Sequence, residues 1–399
     1  MARTERPAVA AIPPLLKDLN ERTVLETIRS SAPVSRAEIS RMVGISKPTV
    51  SLAIQSLVDA GLVREASEGP DGPSYGALFF EPVPEAALVL GFDLGGRFLR
   101  GAICDLRGEI RARLDVEVAG SDAETVLGVI AGLQDQLVEA AGVSEAVIDG
   151  VVVGVPGVVD AETGRIELAT SVAGLEGVEF RPALVERLEL PVRLENDVNL
   201  AALGEQWQGV ARGVDDFVFL SVGTGMGAGL VLHGELHRGR HGAAGEVDFA
   251  LVGLAHDVDP CAAAISAYTS TVVAERSPVT VLQPPFDARD IFAAARAGDA
   301  FAHEVVDEVA RRIALHLVPI AAVSDVSLAV LGGGLGANGD LLLRPVRELL
   351  AGWIPYPPQV DVSSLGEAAV LTGALAVGLR AALDNVFVNR MPGALPSPA

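Results

Sequence analysis

The chain has 399 residues, half of them apolar, a formal charge of −22 and two cysteines. That length supports two or three domains with separate cores, and so acidic a chain is repelled by phosphate backbones unless contact is confined to a local patch. Cys104 and Cys261 are too few for a four-thiolate zinc site and fit a reducing, cytoplasmic setting, while no uninterrupted run of about 18 apolar residues points to a membrane span.

Charge is unevenly spread. Residues 1–66 hold nine Lys/Arg against seven Asp/Glu, which leaves 21 basic and 45 acidic residues on the rest. Any DNA contact therefore belongs to a small head. The opening MARTERPAVAAIPPLLKDL has a weak apolar run broken by Pro13 and Pro14, a poor signal peptide, and residues 1–19 read as a flexible arm.

From Asn20 to Ser30, Val24, Leu25 and Ile28 have helical spacing, and Pro33 ends the run. Ser35 with Glu38 forms a capping box that opens a second helix, with Ile39 and Met42 facing inward. Gly44 sits where the chain must reverse, a place for positive φ. Ser46 caps a third helix with Pro48 in its first turn, and Val50, Ile54, Leu57 and Val58 mark its apolar stripe. The other face offers Ser46, Lys47, Pro48, Thr49, Ser51 and Gln55 as candidate DNA contacts, since short polar and basic groups reach phosphates and base edges in a major groove. Ala60 to Glu65 then runs into a strand, residues 68–73 form a turn cluster, and Ala77 to Glu81 returns as a second strand, together a wing. A plain three-helix bundle with a polar face is the competing description.

The string SRAEISRMVGISKPTVS closely resembles the head of the repressor branch of the ROK family (repressors, open reading frames and kinases). The resemblance implies a winged helix-turn-helix over residues 20–82 that binds a double-stranded DNA operator as a homodimer or tetramer. Family repressors often carry Gly-Arg-Pro in the wing. Here the turn continues Ser74-Tyr75-Gly76, with no arginine, which implies weaker or different minor-groove reading.

The rest carries glycine turns in the family's order. LVLGFD leads into Leu94-Gly95-Gly96, GVVVGVPGVV ends in a G-x-P-G turn, VRLENDVN ends a strand, FVFLSVGTGMGAG makes a second glycine turn, and VLGGGLG follows. A glycine turn lets backbone approach a phosphate closely, although each motif alone is weak. Together they resemble the ROK body, which implies an α/β fold of two actin-like lobes over residues 88–383, with 384–399 as a tail.

In ROK kinases the aspartate of the E-N-D-x-N turn, here Asp197, is the base. The same carboxylate equally serves a sensor as an acceptor for sugar hydroxyls. By the resemblance, Asn196, Asp197 and Glu246 are the candidate effector-binding residues. Two family sugar contacts are lost: Ser171-Val172-Ala173 stands where an asparagine is usual, and Leu175 replaces a tryptophan. The family's histidine, shared by sugar and zinc, is Phe249, and its three thiolates are reduced to Cys261, so no zinc and no cofactor are expected. A different metal site using His256 and Asp257 is the alternative there. Arg97-Phe98 stands where a polar pair usually helps hold phosphates.

The combined expectation is a cytoplasmic transcriptional repressor whose kinase-like body senses a sugar or sugar derivative without catalysis. The alternatives are an ATP-dependent sugar kinase with a DNA-binding appendage, and a regulator that has lost its small-molecule response.

Overall fold

The computed structural model describes residues 13–69, 77–120, 122–169, 171–251 and 257–389. The head is α1 (Pro13–Ser31), β1 (Val34–Ser35), α2 (Arg36–Val43), α3 (Lys47–Asp59), β2 (Val63–Glu65) and β3 (Phe79–Pro82), its strands ordered β1-β3-β2. The local signals work as read. Ser35 and Glu38 cap each other's backbone, Gly44 turns with φ 68°, and the Ser46 side chain accepts from the Thr49 amide. Val24, Leu25, Ile28, Ile39, Val50, Ile54 and Leu57 fill the core.

Two inward assignments are corrected. Met42 is 59 % exposed and Val58 also faces solvent. α2 is only two turns long and the core closes over Ile39, while α3 buries Val50, Ala53, Ile54 and Leu57, a stripe that leaves Val58 at its edge. The ends differ as well. α1 begins at Pro13, so the expected arm loses residues 13–19 to a helix, as Pro is well suited to a first turn. The tip of the wing, including Ser74-Tyr75-Gly76, lies outside the described residues.

The first lobe contains β4 (Leu88–Leu94), β5 (Phe98–Asp105), β6 (Ile110–Glu117), α4 (Ala123–Ala141), β7 (Ile148–Val155), the small pair β8 (Val158–Val159) and β9 (Ile166–Glu167), α5 (Phe180–Leu188), β10 (Val192–Asn196) and α6 (Asp197–Gln208). The second contains β11 (Phe217–Val222), β12 (Met226–Leu232), β13 (Glu235–Leu236), α7 (Ala262–Arg276), α8 (Ala288–Arg296) and α9 (Ala300–Ser324). It ends with β14 (Leu328–Gly332), the single turn α10 (Gly333–Gly336), α11 (Gly339–Trp353), β15 (Gln359–Val362) and α12 (Ala369–Asn389).

The two sheets share one topology. Their orders are β10-β7-β4-β5-β6 and β13-β12-β11-β14-β15, each with an antiparallel meander of three strands and two further strands added in parallel. The helix after the last strand of each lobe packs on the other lobe's sheet, α6 on β11 and β12, α12 on β4 and β7. The two helices cross closely because glycines stand at the contact. A Cβ on Gly373 would lie 1.8 Å from the Leu200 carbonyl oxygen, and one on Gly204 would lie 2.3 Å from that of Ala369.

α12 is long and apolar enough by composition to span a membrane, but half of that stretch is buried inside the protein. Its last turns correct the expected tail. The helix continues to Asn389, and Val386 and Phe387 enter the same apolar cluster as Val24, Leu25 and Ile28 of the head. Head and body are also tied by Arg22 with Asp384, by Arg29 donating to the Leu106 carbonyl at 2.7 Å, and by Glu81, which pairs with both Arg64 and Arg107.

Candidate functional site

At the head, the start of α3 stands open. Ser46, Lys47, Pro48 and Gln55 are exposed, while Thr49 and Ser51 are partly covered. Lys47 makes no hydrogen bond or ion pair among the described residues; Gln55 donates to Asp59 at 2.8 Å, and the Thr49 hydroxyl lies 2.8 Å from that of Ser46. All six predicted contact residues are therefore at least partly accessible, with Lys47, Pro48, Ser51 and Gln55 on the outer side of α3 and Ser46 and Thr49 at its start. Not anticipated is Leu52, 74 % exposed on that outer side. Its only signal in the sequence is an apolar residue out of step with Val50, Ile54 and Leu57.

At the body, Asn196 and Asp197 stand where the strands of the first lobe end and its order reverses, the usual place for a ligand in such sheets. Asp93 closes β4. The G-x-P-G turn closes β7, where Gly157 takes φ 96° because a Cβ would lie 2.4 Å from the Glu167 carbonyl oxygen. After β10 comes the E-N-D-x-N turn, whose members divide the work. Glu195 is buried, accepting from Asn199 at 3.1 Å and from Arg238 at 2.7 Å. Asn196 caps α6 through the Asn199 amide at 2.9 Å and donates to the Gly157 carbonyl at 2.9 Å, which leaves one N–H and one lone pair for a ligand. Asp197, in the first turn of α6, has an oxygen bonded to the Val198 amide at 2.8 Å.

Glu246 is brought to this group by backbone geometry. Gly245 (φ 101°) lies so close to β12 that a Cβ would meet the Ala228 carbonyl oxygen at 1.8 Å, and the Gly245 carbonyl accepts the Ala228 amide at 2.9 Å. The cluster is acidic and desolvated. Burial among protein atoms, then the charge of Asp93, lifts the Asp197 carboxyl to about 7. Asp93 rises to about 6 through burial, which Arg100 only partly offsets. Burial also raises Glu246, with Asp248 adding to it.

The loop that lost the expected sugar contacts is used internally, since Glu176 accepts the Ala169 amide at 2.8 Å. At the glycine turns of the second lobe, Gly332 and Gly333 are required by packing: a Cβ would meet the Phe219 ring at 2.2 Å or the Val222 carbonyl oxygen at 2.5 Å. Gly225 and Gly334 face open space instead.

The family's zinc does not fit the residues present. Cys261 is buried at the start of α7, and burial, then Asp259, pushes its thiol far above the usual range, away from the thiolate that a metal needs. No group of three or more His, Cys, Asp or Glu able to hold a metal is found among the described residues, and His256 lies outside them. The loop is held by Arg312 instead. That buried guanidinium donates to the Asp259 carbonyl at 2.7 Å and to Glu308 at 2.8 Å, lies 3.4 Å from Asp257, and sits over the Tyr268 ring at 5.0 Å.

Residues 89–381 match the model of the ROK family. The chain belongs to the ROK family. Residues 18–72 match the MarR family, so this ROK protein carries a MarR-like helix-turn-helix and is a transcriptional regulator by architecture. It is 27 % identical over 386 residues to the xylose repressor of Caldicellulosiruptor bescii, which covers 91 % of this chain and 96 % of that one. Kinases match at similar identity over the body alone. A glucokinase of Halalkalibacterium halodurans is 29 % identical over 278 residues, 65 % of this chain and 84 % of its own. Among solved structures, a ROK family transcriptional regulator homologous to the E. coli MLC protein covers 94 % of this chain and 98 % of its own (TM-score 0.77, 21 % identity), a likeness of fold. The ROK hexokinase from Thermus thermophilus covers 75 % and 99 % (TM-score 0.61, 28 % identity).

Proposed function

We propose that this ROK regulator is a repressor that binds a palindromic operator as a homodimer and releases it when a sugar or sugar derivative enters the interlobe site. The observation that carries this reading is the open polar face of α3 on a head whose core is completed by the helix that crosses α6. Ser46, Lys47, Pro48, Thr49, Ser51 and Gln55 contact the groove. Asp197 and Glu246 accept sugar hydroxyls, with Asn196 beside them. Closure of the lobes shifts α6 against α12, and α12 carries that shift to the head.

The first test is selection of DNA from a randomised library by the purified protein, with and without D-xylose and other sugars. Relatives named xylose repressors make D-xylose the first to try. The reading requires an enriched palindrome that a sugar releases; no enrichment at moderate salt would overturn it. Lys47→Ala should weaken operator binding and lower the slope of log affinity against log salt by about one counterion. An unchanged slope would remove Lys47 from the phosphate contacts.

Sugar affinity should also depend on pH. A hydroxyl donates best to an ionised carboxylate, and Asp197 is protonated below about 7. Affinity should therefore climb as pH rises through that value, by up to about tenfold per unit on the acid side, and level off above it. Calorimetric titration of wild type and Asp197→Asn checks this, the variant binding weakly with a flattened profile. The linked effect on stability has the opposite sign. A carboxyl raised from its ordinary 3.8 stabilises the unliganded fold on the acid side, and that contribution is lost as pH rises through about 7.

The same raised carboxyl favours a second reading, an ATP-dependent sugar kinase with a DNA-binding appendage, because a base titrating near neutrality suits hydroxyl activation. A coupled ATP assay over a sugar panel separates the two. Turnover that vanishes in Asp197→Ala would establish the kinase.

A further inference from the structure

A second cleft, of about 530 Å³, lies where α1 of the head, β10, α6, the β12–β13 turn and α12 come together, lined by residues other than Asp197, Glu246 and Asn196. Its lining includes apolar groups, Leu203 and Trp207 of α6 with Val377 and Leu379 of α12. It also gathers arginines from separate parts of the chain: Arg193 on β10, Arg238 after β13, Arg380 on α12 and Arg29 on α1.

Most of this charge is balanced within the protein. Arg238 pairs with Glu195, Arg380 with Glu235 and Arg29 with Glu26, while Asp384 on the rim pairs with Arg22. Arg193 is different, since it makes no ion pair or hydrogen bond among the described residues although it stands beside two other guanidiniums. Desolvation, then the charges of Arg238 and Arg380 against a partial offset from Glu195, holds its guanidinium below the usual range. A cation without an internal partner, beside two other guanidiniums, is a local socket for an anion despite the acidic chain, and the indole and aliphatic groups that share the lining suit a carbon skeleton.

We propose that this cleft is a second effector site, which takes a small organic anion, a phosphate ester or a polycarboxylate, with Arg193 as its anchor. Such a ligand touches the first lobe, α12 and the head at once. Its occupancy therefore favours one arrangement of head on body, and operator affinity and ligand affinity are linked reciprocally.

Trp207 in the cleft wall provides the readout. The chain has two tryptophans, so the full-length Trp353→Phe protein reports Trp207 emission alone. It is titrated with inorganic phosphate, a hexose 6-phosphate and citrate. The expected result is a saturable change with at least one of them, weakened about tenfold or more by Arg193→Gln, the loss of a charge-assisted hydrogen bond, and retained in Asp197→Asn. Response to the hexose phosphate alone assigns a phosphate ester, and response to citrate alone a polycarboxylate. No saturable change up to about 10 mM overturns the proposal. So does a response that survives Arg193→Gln, or one that Asp197→Asn abolishes, since that ligand sits in the interlobe site. Arg193→Gln removes a charge that makes no ion pair among the described residues, so the variant is expected to fold, which its unfolding midpoint verifies.

Discussion

Replacing Phe387 with alanine is expected to cost about 3–5 kcal/mol at the junction of head and body, the usual penalty for emptying a buried aromatic site. Phe387 is 2 % exposed, shares a cluster with Val24, Leu25 and Ile28, and lies 4.5 Å from the Arg22 guanidinium, which also pairs with Asp384. The head has a small core of its own, so a loss of this size is large beside the total stability of a domain. Urea unfolding followed by circular dichroism should show an earlier transition for the head, separate from that of the lobes. Operator binding should persist in the cold but lose its response to sugar, because the helix that carries the signal no longer grips the head. A single transition with an unchanged midpoint would mean that α12 merely rests against the head.

Arg312→Ala is the second large effect. Arg312 is 2 % exposed, and its removal takes one partner from a buried ion-pair and hydrogen-bond set, which costs about 3 kcal/mol. Glu308 keeps Arg311 as a partner, so the loss falls mainly on the Asp257–Cys261 segment and the Tyr268 stack. Arg312→Lys should recover little, since an ammonium cannot donate at once to the Asp259 carbonyl and to Glu308 in the geometry of a planar fork. The urea midpoint measures both variants. A midpoint within about 0.5 kcal/mol of wild type would show that the loop does not depend on this cation. Arg312 thus gives the Asp257–Cys261 segment a physical anchor, joining it to α9 with a guanidinium.

Much of the head could be read residue by residue, because its signals are local. A capping box needs only Ser35 and Glu38, a left-handed turn only Gly44, and an N-cap only Ser46. The two misread positions, Met42 and Val58, lie on helices where periodicity allows an inward place but neighbouring elements decide whether anything covers it. In the body, the order of the glycine turns identified both lobes, and the charge of Glu246 reaches Asp197. The position of Glu246 depends on Gly245, whose close approach to β12 cannot be inferred from an Ala-Gly-Glu string.

The sequence by itself determined the succession of elements, the helix caps, the glycine turns and the residues offered on α3, since each rests on interactions within a few positions along the chain. Only the tertiary structure decided that α6 and α12 cross through Gly204 and Gly373, and that the expected tail is part of the head's core. It alone placed Arg312 under the Asp257–Cys261 loop and left Arg193 without an ion pair among the described residues. The physical reason is the same in each case. Burial and charge pairing are set by which distant segments meet, and an apolar or charged residue carries no local mark of its partner.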